Sequence, residues 1–250
     1  MAETKIKQDK FNLDTEEMAR AGLHFGHRTS RINPKMQPYL FGVRNTVHII
    51  DVEKTKEKLI EALEFIQKTV SEGKVLLLVG TKIQIKEFVK EVGKDCSLPY
   101  ITERWLGGTF TNFESISKRV QYYKDLESKK ASGELTKYTK KEQAGFEYEL
   151  KKLKLKFDGI RDMNRIPDAI FVVDMKDNDL AVREARQKDV KVIGICDTNV
   201  DPTLADYPIP ASDDSVSSLK YILEKVKDAV QKAKPKSDGH KPTKTTEAGN

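Results

Sequence analysis

The sequence changes its pattern at Glu103-Arg104-Trp105-Leu106-Gly107-Gly108-Thr109-Phe110-Thr111-Asn112-Phe113. Apolar runs alternate with amphipathic segments before this stretch, whereas a long lysine-rich segment with heptad spacing follows it. The Gly-Gly pair allows backbone angles that other residues avoid, and it lets another chain approach closely. Two interpretations are open. The stretch is either a turn around a packed Trp105, or a junction where Arg104 and Trp105 offer a cation and a stacking surface to a partner.

The alternating part of the chain predicts an α/β domain. Uninterrupted apolar runs are typical of parallel strands that are buried on both faces. We predict strands at residues 47–51, 75–79, 100–102, 169–174 and 192–197. Helices are predicted at 52–71, 81–92, 178–188 and 215–233. The expected fold is a doubly wound, flavodoxin-like, three-layer α/β/α sandwich with a five-stranded parallel sheet.

The segment 111–158 interrupts this alternation and has a different period. Apolar residues recur at steps of three and four in two runs, which are Phe113, Ile116, Val120 and Tyr123, and then Phe146, Leu150, Leu153, Phe157 and Ile160. Such heptad seams predict two helices that pack on each other through these residues, as an inserted antiparallel coiled-coil hairpin. Because the apolar side chains of the two seams bury each other, little apolar surface remains to pack on the sheet, and we expect the hairpin to stand apart from the core.

The predicted domain organisation follows from these two patterns. Residues 13–110 and 159–234 form the α/β/α domain, and residues 111–158 form the inserted hairpin. Residues 1–12 are predicted to be a disordered N-terminus, and residues 235–250 a disordered basic tail.

Composition limits the function classes but does not decide among them. The net charge of +6 over 250 residues is too small to establish nucleic-acid binding, so the location of the charge matters more. Residues 118–156 contain twelve Lys and Arg against six Asp and Glu, which indicates either a solvated helical face or a docking surface. Two cysteines and the lack of an apolar run near ~20 residues favour a soluble, cytoplasmic protein with no membrane contact.

Common catalytic and cofactor motifs are absent from the sequence. It contains no GxGxxG, no CxxC and no GxSxG, and an apolar strand precedes Gly80-Thr81-Lys82 where a phosphate loop would need glycines. Residues 23–36 instead combine histidines, three cations and a proline without helical or strand period. This segment is interpreted as a surface loop whose Arg28, Arg31 and Lys35 bind phosphates, or else as an arm packed on the core.

One group of residues has the chemistry of a metal site. His27, Asp197 and Asp213 are the candidate ligands, with His24 and Asp214 as outer candidates. Imidazole and carboxylates can hold a divalent cation, here zinc or magnesium, that would bridge the N-terminal arm and the sheet. The alternative is structural, with the histidines bonded to backbone and Asp213 or Asp214 capping the last helix.

Several motifs together resemble one family, the bacterial small-subunit ribosomal proteins numbered two. The motifs are His24-Phe25-Gly26-His27, Asn33-Pro34-Lys35-Met36, His48-Ile49-Ile50-Asp51, Arg104-Trp105-Leu106-Gly107-Gly108, Pro167-Asp168-Ala169, Asp197-Thr198-Asn199-Val200-Asp201-Pro202 and Ile209-Pro210. The resemblance runs in order over residues 13–230. Two positions depart from the family: Ile32 replaces the usual Trp, and Ala211-Ser212 replaces the usual Gly-Asn.

The resemblance implies a non-catalytic, ribosome-bound protein with no required cofactor and no small-molecule substrate. Its expected partners are small-subunit ribosomal RNA and neighbouring ribosomal proteins, including the large protein numbered one, which captures messenger RNA. The residues expected to contact RNA are Arg28, Arg31, Lys35, Arg44, Arg104, Trp105, Lys118, Lys140 and Lys141. Two alternatives stay open from the residues alone, namely an enzyme that uses the strand-end aspartates with a metal, and a coiled-coil adaptor that binds no RNA.

Overall fold

A computed structural model describes residues 10–234 of the chain. Its helices are α1 (Thr15–Arg20), α2 (Val52–Ser71), α3 (Lys86–Asp95), α4 (Phe113–Ala131), α5 (Lys140–Phe157), α6 (Asp179–Gln187) and α7 (Val216–Ala233). Its strands are β1 (Phe25–Arg28), β2 (Leu40–Arg44), β3 (Val47–Ile50), β4 (Leu76–Val79), β5 (Tyr100–Ile101), β6 (Ala169–Val172), β7 (Lys191–Cys196) and β8 (Tyr207–Pro210).

Five parallel strands form the central sheet, in the order β5-β4-β6-β7-β8. The predicted five-stranded parallel sheet is therefore confirmed, but its membership differs from the prediction. Residues 47–50 lie outside this sheet, and Tyr207–Pro210 takes the fifth place. Two prolines hid this strand in the sequence. Proline cannot donate a ladder hydrogen bond and is tolerated at a sheet edge, which is where β8 lies.

Each face of the sheet is covered by helices, which makes the three layers. Alternate residues of the strands point to opposite faces. On one face Leu76, Leu78 and Phe171 belong to a buried cluster with residues of α1, α2, α3 and α7. On the other face Leu77 and Ile170 belong to a second cluster with residues of α4, α5 and α6. The three-layer α/β/α architecture predicted from the apolar runs is thus confirmed.

A second, smaller sheet lies N-terminal to the parallel one. Its strands are antiparallel in the order β1-β3-β2, so β3 is central here and is not a strand of the main sheet. The prediction of an irregular surface loop at 23–36 is wrong in part, because Phe25–Arg28 is a strand. A two-residue turn with positive φ at Asn45 and Thr46 joins β2 to β3 and fixes their register.

Local capping signals determine several helix boundaries. A capping box formed by Thr139 and Glu142 is present at the start of α5. Helix α7 begins after Ser215, whose hydroxyl accepts a hydrogen bond from the Ser218 backbone N–H. The alternative in which Asp213 or Asp214 caps this helix is therefore wrong, and both carboxylates are free for other contacts.

The two helices of the predicted hairpin are present and contact each other. Tyr122 of α4 donates to Glu149 of α5 at 3.2 Å, and Lys130 lies 3.0 Å from Glu147. The coiled-coil character of this pair stays a prediction. Tyr123 of its seam is fully buried and belongs to the same contiguous apolar cluster as residues on one face of the sheet. The expectation that the hairpin stands apart from the core stays a prediction.

The N-terminal boundary is earlier than predicted. Phe11 is buried in the core, and Lys10 donates to Gln67 of α2 at 2.7 Å. The predicted disordered N-terminus therefore does not include these two residues. Residues 1–9 of the predicted disordered N-terminus, and the predicted basic tail at 235–250, lie outside the described residues.

Candidate functional sites

The carboxyl edge of the parallel sheet carries a dense group of charges. The chain leaves β4 toward β5 on one side and returns to β6 on the other, so a topological switch point lies between β4 and β6. Doubly wound sheets bind their ligands at this position. Four acidic residues converge here and form what we call the acidic cluster, which consists of Asp174, Asp197, Asp213 and Asp214.

Lys82 fills the crevice at the switch point. Its ammonium Nζ lies 2.9 Å from Asp174 Oδ2, 2.9 Å from Asp213 Oδ1 and 3.1 Å from Asp214 Oδ1. It also donates to the Asp213 backbone carbonyl at 2.8 Å. The Lys82 side chain is 13% exposed, and Asp174 and Asp213 are each 2% exposed. A cation of the protein itself therefore occupies the place where related folds bind a ligand.

The ionisation of this group follows from its burial. Burial alone would lower the pKa of Lys82, but its hydrogen bonds to Asp213 and Asp174 and their charges outweigh burial and raise it. Burial, together with the charges of Asp174 and Asp197, raises the pKa of Asp213 to about 7, against the opposing influence of Lys82. One ammonium thus faces more negative charge than it can neutralise.

His27 approaches the acidic cluster from strand β1. Its Nδ1 lies 3.1 Å from Asp197 Oδ1, and its Nε2 lies 3.4 Å from Asp214 Oδ2. The hydrogen bond to Asp197 raises the pKa of His27, and nearby acidic charges add to this effect while burial opposes it. Strand β1 comes this close because residue 26 is glycine, since a Cβ there would collide with the Thr198 side chain.

The structure brings together three of the five predicted metal-site residues. His27, Asp197 and Asp213 each offer a ligand atom within 4.8 Å of the others. Asp214 borders this group through His27 and Lys82. His24 is not part of this group, and its ring contacts that of Phe25 with centroids 3.9 Å apart and a tilt of 40°.

Sequence reasoning missed the role of Lys82. The sequence Gly80-Thr81-Lys82 resembles the end of a phosphate loop, but the glycines that such a loop needs do not precede it. The sequence alone therefore gives Lys82 no evident role. The signal that could have found it is the position of Lys82, because it follows a buried strand and parallel strands bring their carboxyl ends to one edge. Its partners, however, lie 92 to 132 positions later in the chain.

A second group of charges lies on the small antiparallel sheet. Arg28 of β1 and Arg44 of β2 both pair in register with Val47 of β3, so they share one row and one face of the sheet. Arg31 belongs to the same corner, since its backbone N–H donates to the Arg28 carbonyl at 2.8 Å. We call these three exposed arginines the basic rim. Within residues 10–234, their side chains form no ion pair and no hydrogen bond.

The other predicted RNA contacts differ in their surroundings. Lys35 is bound to Asp201 at 2.6 Å and to Thr203 at 3.3 Å, so it braces the loop before β2. Lys118 pairs with Glu114 one helical turn away at 2.7 Å. Arg104, Lys140 and Lys141 are exposed.

Trp105 is not available for stacking on a partner. Its indole is 5% exposed and meets the Phe110 ring edge to face, with centroids 5.0 Å apart. The backbone N–H groups of this loop are also occupied: buried Glu184 of α6 accepts from Gly108 at 2.6 Å and from Phe110 at 2.9 Å. The interpretation as a turn around a packed Trp is therefore correct, and the proposed stacking contact of Trp105 is wrong.

None of the helices within residues 10–234 is both long enough and apolar enough to cross a membrane.

Comparison with known proteins identifies the family. A family model described as Ribosomal protein S2 matches residues 18–233. The chain is 46% identical over 209 residues to the small ribosomal subunit protein uS2 of Roseiflexus sp. (strain RS-1), covering 84% of this chain and 80% of that one. It is 45% identical over 215 residues to the uS2 protein of Dictyoglomus turgidum, covering 86% and 87% of the two chains.

A third relative has the same name. The uS2 protein of Fusobacterium nucleatum is 46% identical over 219 residues, which cover 87% of this chain and 89% of that one. These relatives are named as components of the ribosome and not as enzymes. The alternative of a metal-dependent enzyme is thus set aside, and the chain belongs to the ribosomal protein S2 family, a structural and non-catalytic part of the small ribosomal subunit.

Proposed function

We propose that the protein binds small-subunit ribosomal RNA through the basic rim. The observation that carries this proposal is the corner formed by Arg28, Arg31 and Arg44, whose guanidinium groups are exposed and have no acidic partner within residues 10–234. Guanidinium binds phosphate oxygens in a bidentate manner and stays charged at any physiological pH. The register of the small sheet holds two of these arginines in one row, which reduces the entropy lost on binding.

The proposed RNA footprint extends beyond the rim. Arg104, Lys118, Lys140 and Lys141 are exposed cations and provide further phosphate contacts in this proposal. Lys35 contributes by holding the loop that carries Arg31, through its ion pair with Asp201. Contacts of this kind position the protein on RNA and carry no sequence information by themselves.

Replacing Arg28, Arg31 and Arg44 together by Gln is expected to weaken RNA binding and reduce its salt dependence. The slope of log affinity against log salt should flatten by roughly 0.7–0.9 for each phosphate group that the variant no longer binds. Co-sedimentation with small-subunit particles over a salt series measures both quantities.

The matched control replaces Arg20, Arg165 and Arg183 by Gln. These arginines are also exposed and change the net charge equally, but each is already paired with an acidic residue nearby in sequence. This control should retain the parent slope. Equal slopes for the parent and the rim variant would contradict the proposal.

We further propose that the α4–α5 pair contacts neighbouring ribosomal proteins, and that the protein supports docking of the large ribosomal protein numbered one in the cytoplasm. Lysines exceed acidic residues on the outer faces of these helices, and Tyr148 and Leu155 are exposed on α5. Single exposed apolar residues are common on protein surfaces, so it is the excess of lysines that carries this proposal.

Shortening the helix pair tests this docking. A short Gly/Ser turn in place of residues 128–147 keeps the buried Tyr123 and Leu153 in place, so the cooperative thermal transition should persist. Retention on the small subunit at high salt should fall. A variant with Lys129, Lys140 and Lys141 changed to Gln separates charge from arm length. If the shortened protein is retained as tightly as the parent, the docking proposal is wrong.

We also propose that a divalent cation, zinc or magnesium, binds between His27, Asp197 and Asp213. The convergence of one ligand atom from each within 4.8 Å favours it, as does the excess of four carboxylates over the single ammonium of Lys82. The ion would join strand β1 to the main sheet and reduce repulsion within the acidic cluster. This role is structural, and no reaction depends on it.

Metal binding should strengthen as the pH rises. The pKa of His27 is raised by Asp197, and a metal must displace the proton of the imidazolium. Calorimetric titration of the metal-stripped protein with zinc should therefore give tighter binding at pH 7.5 than at pH 6. His27→Gln should abolish it, whereas the control His24→Gln should not. No heat and no zinc-dependent thermal stabilisation in the parent would refute the proposal.

A further inference from the structure

The small antiparallel sheet has an apolar groove. None of the residues that line it is among those proposed above to contact phosphate. Its volume is about 410 Å³, near the lower limit of ligand pockets, which span roughly 300–1,000 Å³. We call it the β2 groove, and its lining residues are Ile32, Pro34, Gln37, Leu40, Phe41, Gly42, Val43 and His48. None of these lining residues is acidic.

Phe41 is presented to solvent on this groove by a local irregularity of the sheet. The ladder pairs Leu40 with Ile50 and Gly42 with Ile49, so Phe41 is an extra residue on β2. Bulges of this kind re-aim a side chain, and the Phe41 ring is 80% exposed. An exposed ring is a stacking surface, which most folds would bury.

His48 supplies polar groups that lack a partner. It lies opposite Val43 in the ladder and is only 8% exposed. In the part of the chain that the structure describes, neither Nδ1 nor Nε2 of its ring has a hydrogen-bond partner. An unpaired buried imidazole is costly for folding, so a ligand that hydrogen-bonds with it would recover this loss.

The surroundings of the β2 groove are cationic. Arg31 immediately precedes the lining residue Ile32 in a segment outside the strands. Arg44 follows Val43 on β2, so its side chain leaves the opposite face of the sheet from Val43 and His48. An apolar slot with an exposed ring, an unpaired imidazole and an adjoining guanidinium group has complementary contacts for the three parts of a nucleotide. These parts are a base face, a base edge and a phosphate.

We propose that the β2 groove binds one unpaired nucleotide of RNA. The base stacks on Phe41, its edge hydrogen-bonds with His48, and Arg31 holds an adjacent phosphate. This inference rests on the proposed RNA binding and adds base capture to it. A protein strand could instead pair with the free edge of β2, but the bulge at Phe41 interrupts that edge and a strand would leave the cations unmatched.

The test uses two probes with the same backbone, a single-stranded RNA octamer of mixed sequence and an abasic octamer. The parent protein should bind the octamer with bases about tenfold more tightly, because stacking on an aromatic ring contributes measurably for each base. Phe41→Leu should lose about this factor on the octamer with bases and nothing on the abasic one. The control Phe25→Leu removes another exposed ring of the same sheet, outside the groove, and should change neither affinity.

A second measurement does not depend on any variant. The chain has four histidines, so selective ¹⁵N labelling gives few ring signals. The His48 ring signals of the parent should move when the octamer with bases is added and stay in place with the abasic octamer.

The outcomes separate this inference from the proposed function. Salt-dependent binding of both octamers with equal affinity, and an unmoved His48 signal, would overturn base capture and leave phosphate binding intact. Failure to bind either octamer would refute both. Self-association of the parent that Phe41→Leu abolishes, without a base effect, would assign the groove to a second copy and overturn the proposal.

Discussion

Replacing Lys82 by Met is expected to lower the free energy of unfolding by about 3–5 kcal/mol, the range for breaking a buried ion pair. The substitution keeps most of the side-chain volume but leaves Asp174 and Asp213 buried without their counter-charge. For a domain of this size the melting temperature should fall by roughly 2–4 °C for each kcal/mol. Thermal and urea unfolding in the presence of a chelator measure the change without interference from metal.

The destabilisation caused by Lys82→Met should depend on pH. The pKa of Asp213 is raised to about 7 in the folded protein, above its value in the unfolded chain. The contribution of this group to stability is therefore present below its unfolded pKa and is lost as the pH rises through about 7. Without Lys82 the ionised form is less favourable still, so the destabilisation should be larger at pH 8 than at pH 5.

Two further variants separate electrostatics from packing at this position. Lys118→Met removes an exposed cation from a pair within one helix and should change stability by no more than about 0.5 kcal/mol. Adding Asp213→Asn to Lys82→Met removes the stranded charge and should recover part of the stability. If Lys82→Met unfolds like Lys118→Met, or if the double variant recovers nothing, the role given to this ammonium is wrong.

The second large effect is expected at Glu184. Its carboxylate accepts hydrogen bonds from the backbone N–H groups of Gly108, Phe110 and Thr111, the last at 3.4 Å. Glu184→Gln keeps the shape but replaces one acceptor oxygen by a donor NH₂ that faces other donors. Hydrogen bonds to charged groups contribute roughly 1.5–3 kcal/mol, so the free energy of unfolding should fall by about 2–4 kcal/mol.

Hydrogen exchange gives a local check on this effect. The amides of Gly108 and Phe110 should exchange faster in Glu184→Gln, because they lose their acceptor. Glu16→Gln, which alters an exposed pair with Arg20 on α1, is the matched control and should leave both amides protected. Unchanged protection in Glu184→Gln would show that the loop is held by Trp105 packing alone.

The contacts of the acidic cluster explain why the carboxyl edge of this sheet has no open crevice for a small ligand. Folds of this class bind small ligands at the switch point between strands. Here Lys82 occupies that crevice and His27 approaches it from β1, so side chains of the protein itself fill the place of a small ligand. The surfaces that we propose for partners are the basic rim, the β2 groove and the outer faces of α4 and α5.

Much of the fold was predictable from local patterns. The bounds of α2 match the prediction at both ends, because its apolar period and its Asp51 cap are encoded within one segment. The same holds for the capping box of α5 and for the apolar runs that became β4, β6 and β7. The metal-site prediction also identified three residues that the structure brings together, since strand-end residues of a parallel sheet share one edge.

What the sequence alone determined, then, is the order and type of most elements, because periodicity and caps act over a few residues. Only the tertiary structure decided which strands pair, since β3 joins the small antiparallel sheet and β8, which local propensity did not predict, takes the fifth place in the main sheet. It also decided that Trp105 is buried and that Lys82 and Glu184 are anchors. The contacts of Lys82 and Glu184 are with partners about 70 to 130 positions away in the chain. The free energy of burying a charge depends on which counter-charge the fold brings to it, and no local sequence pattern encodes that choice.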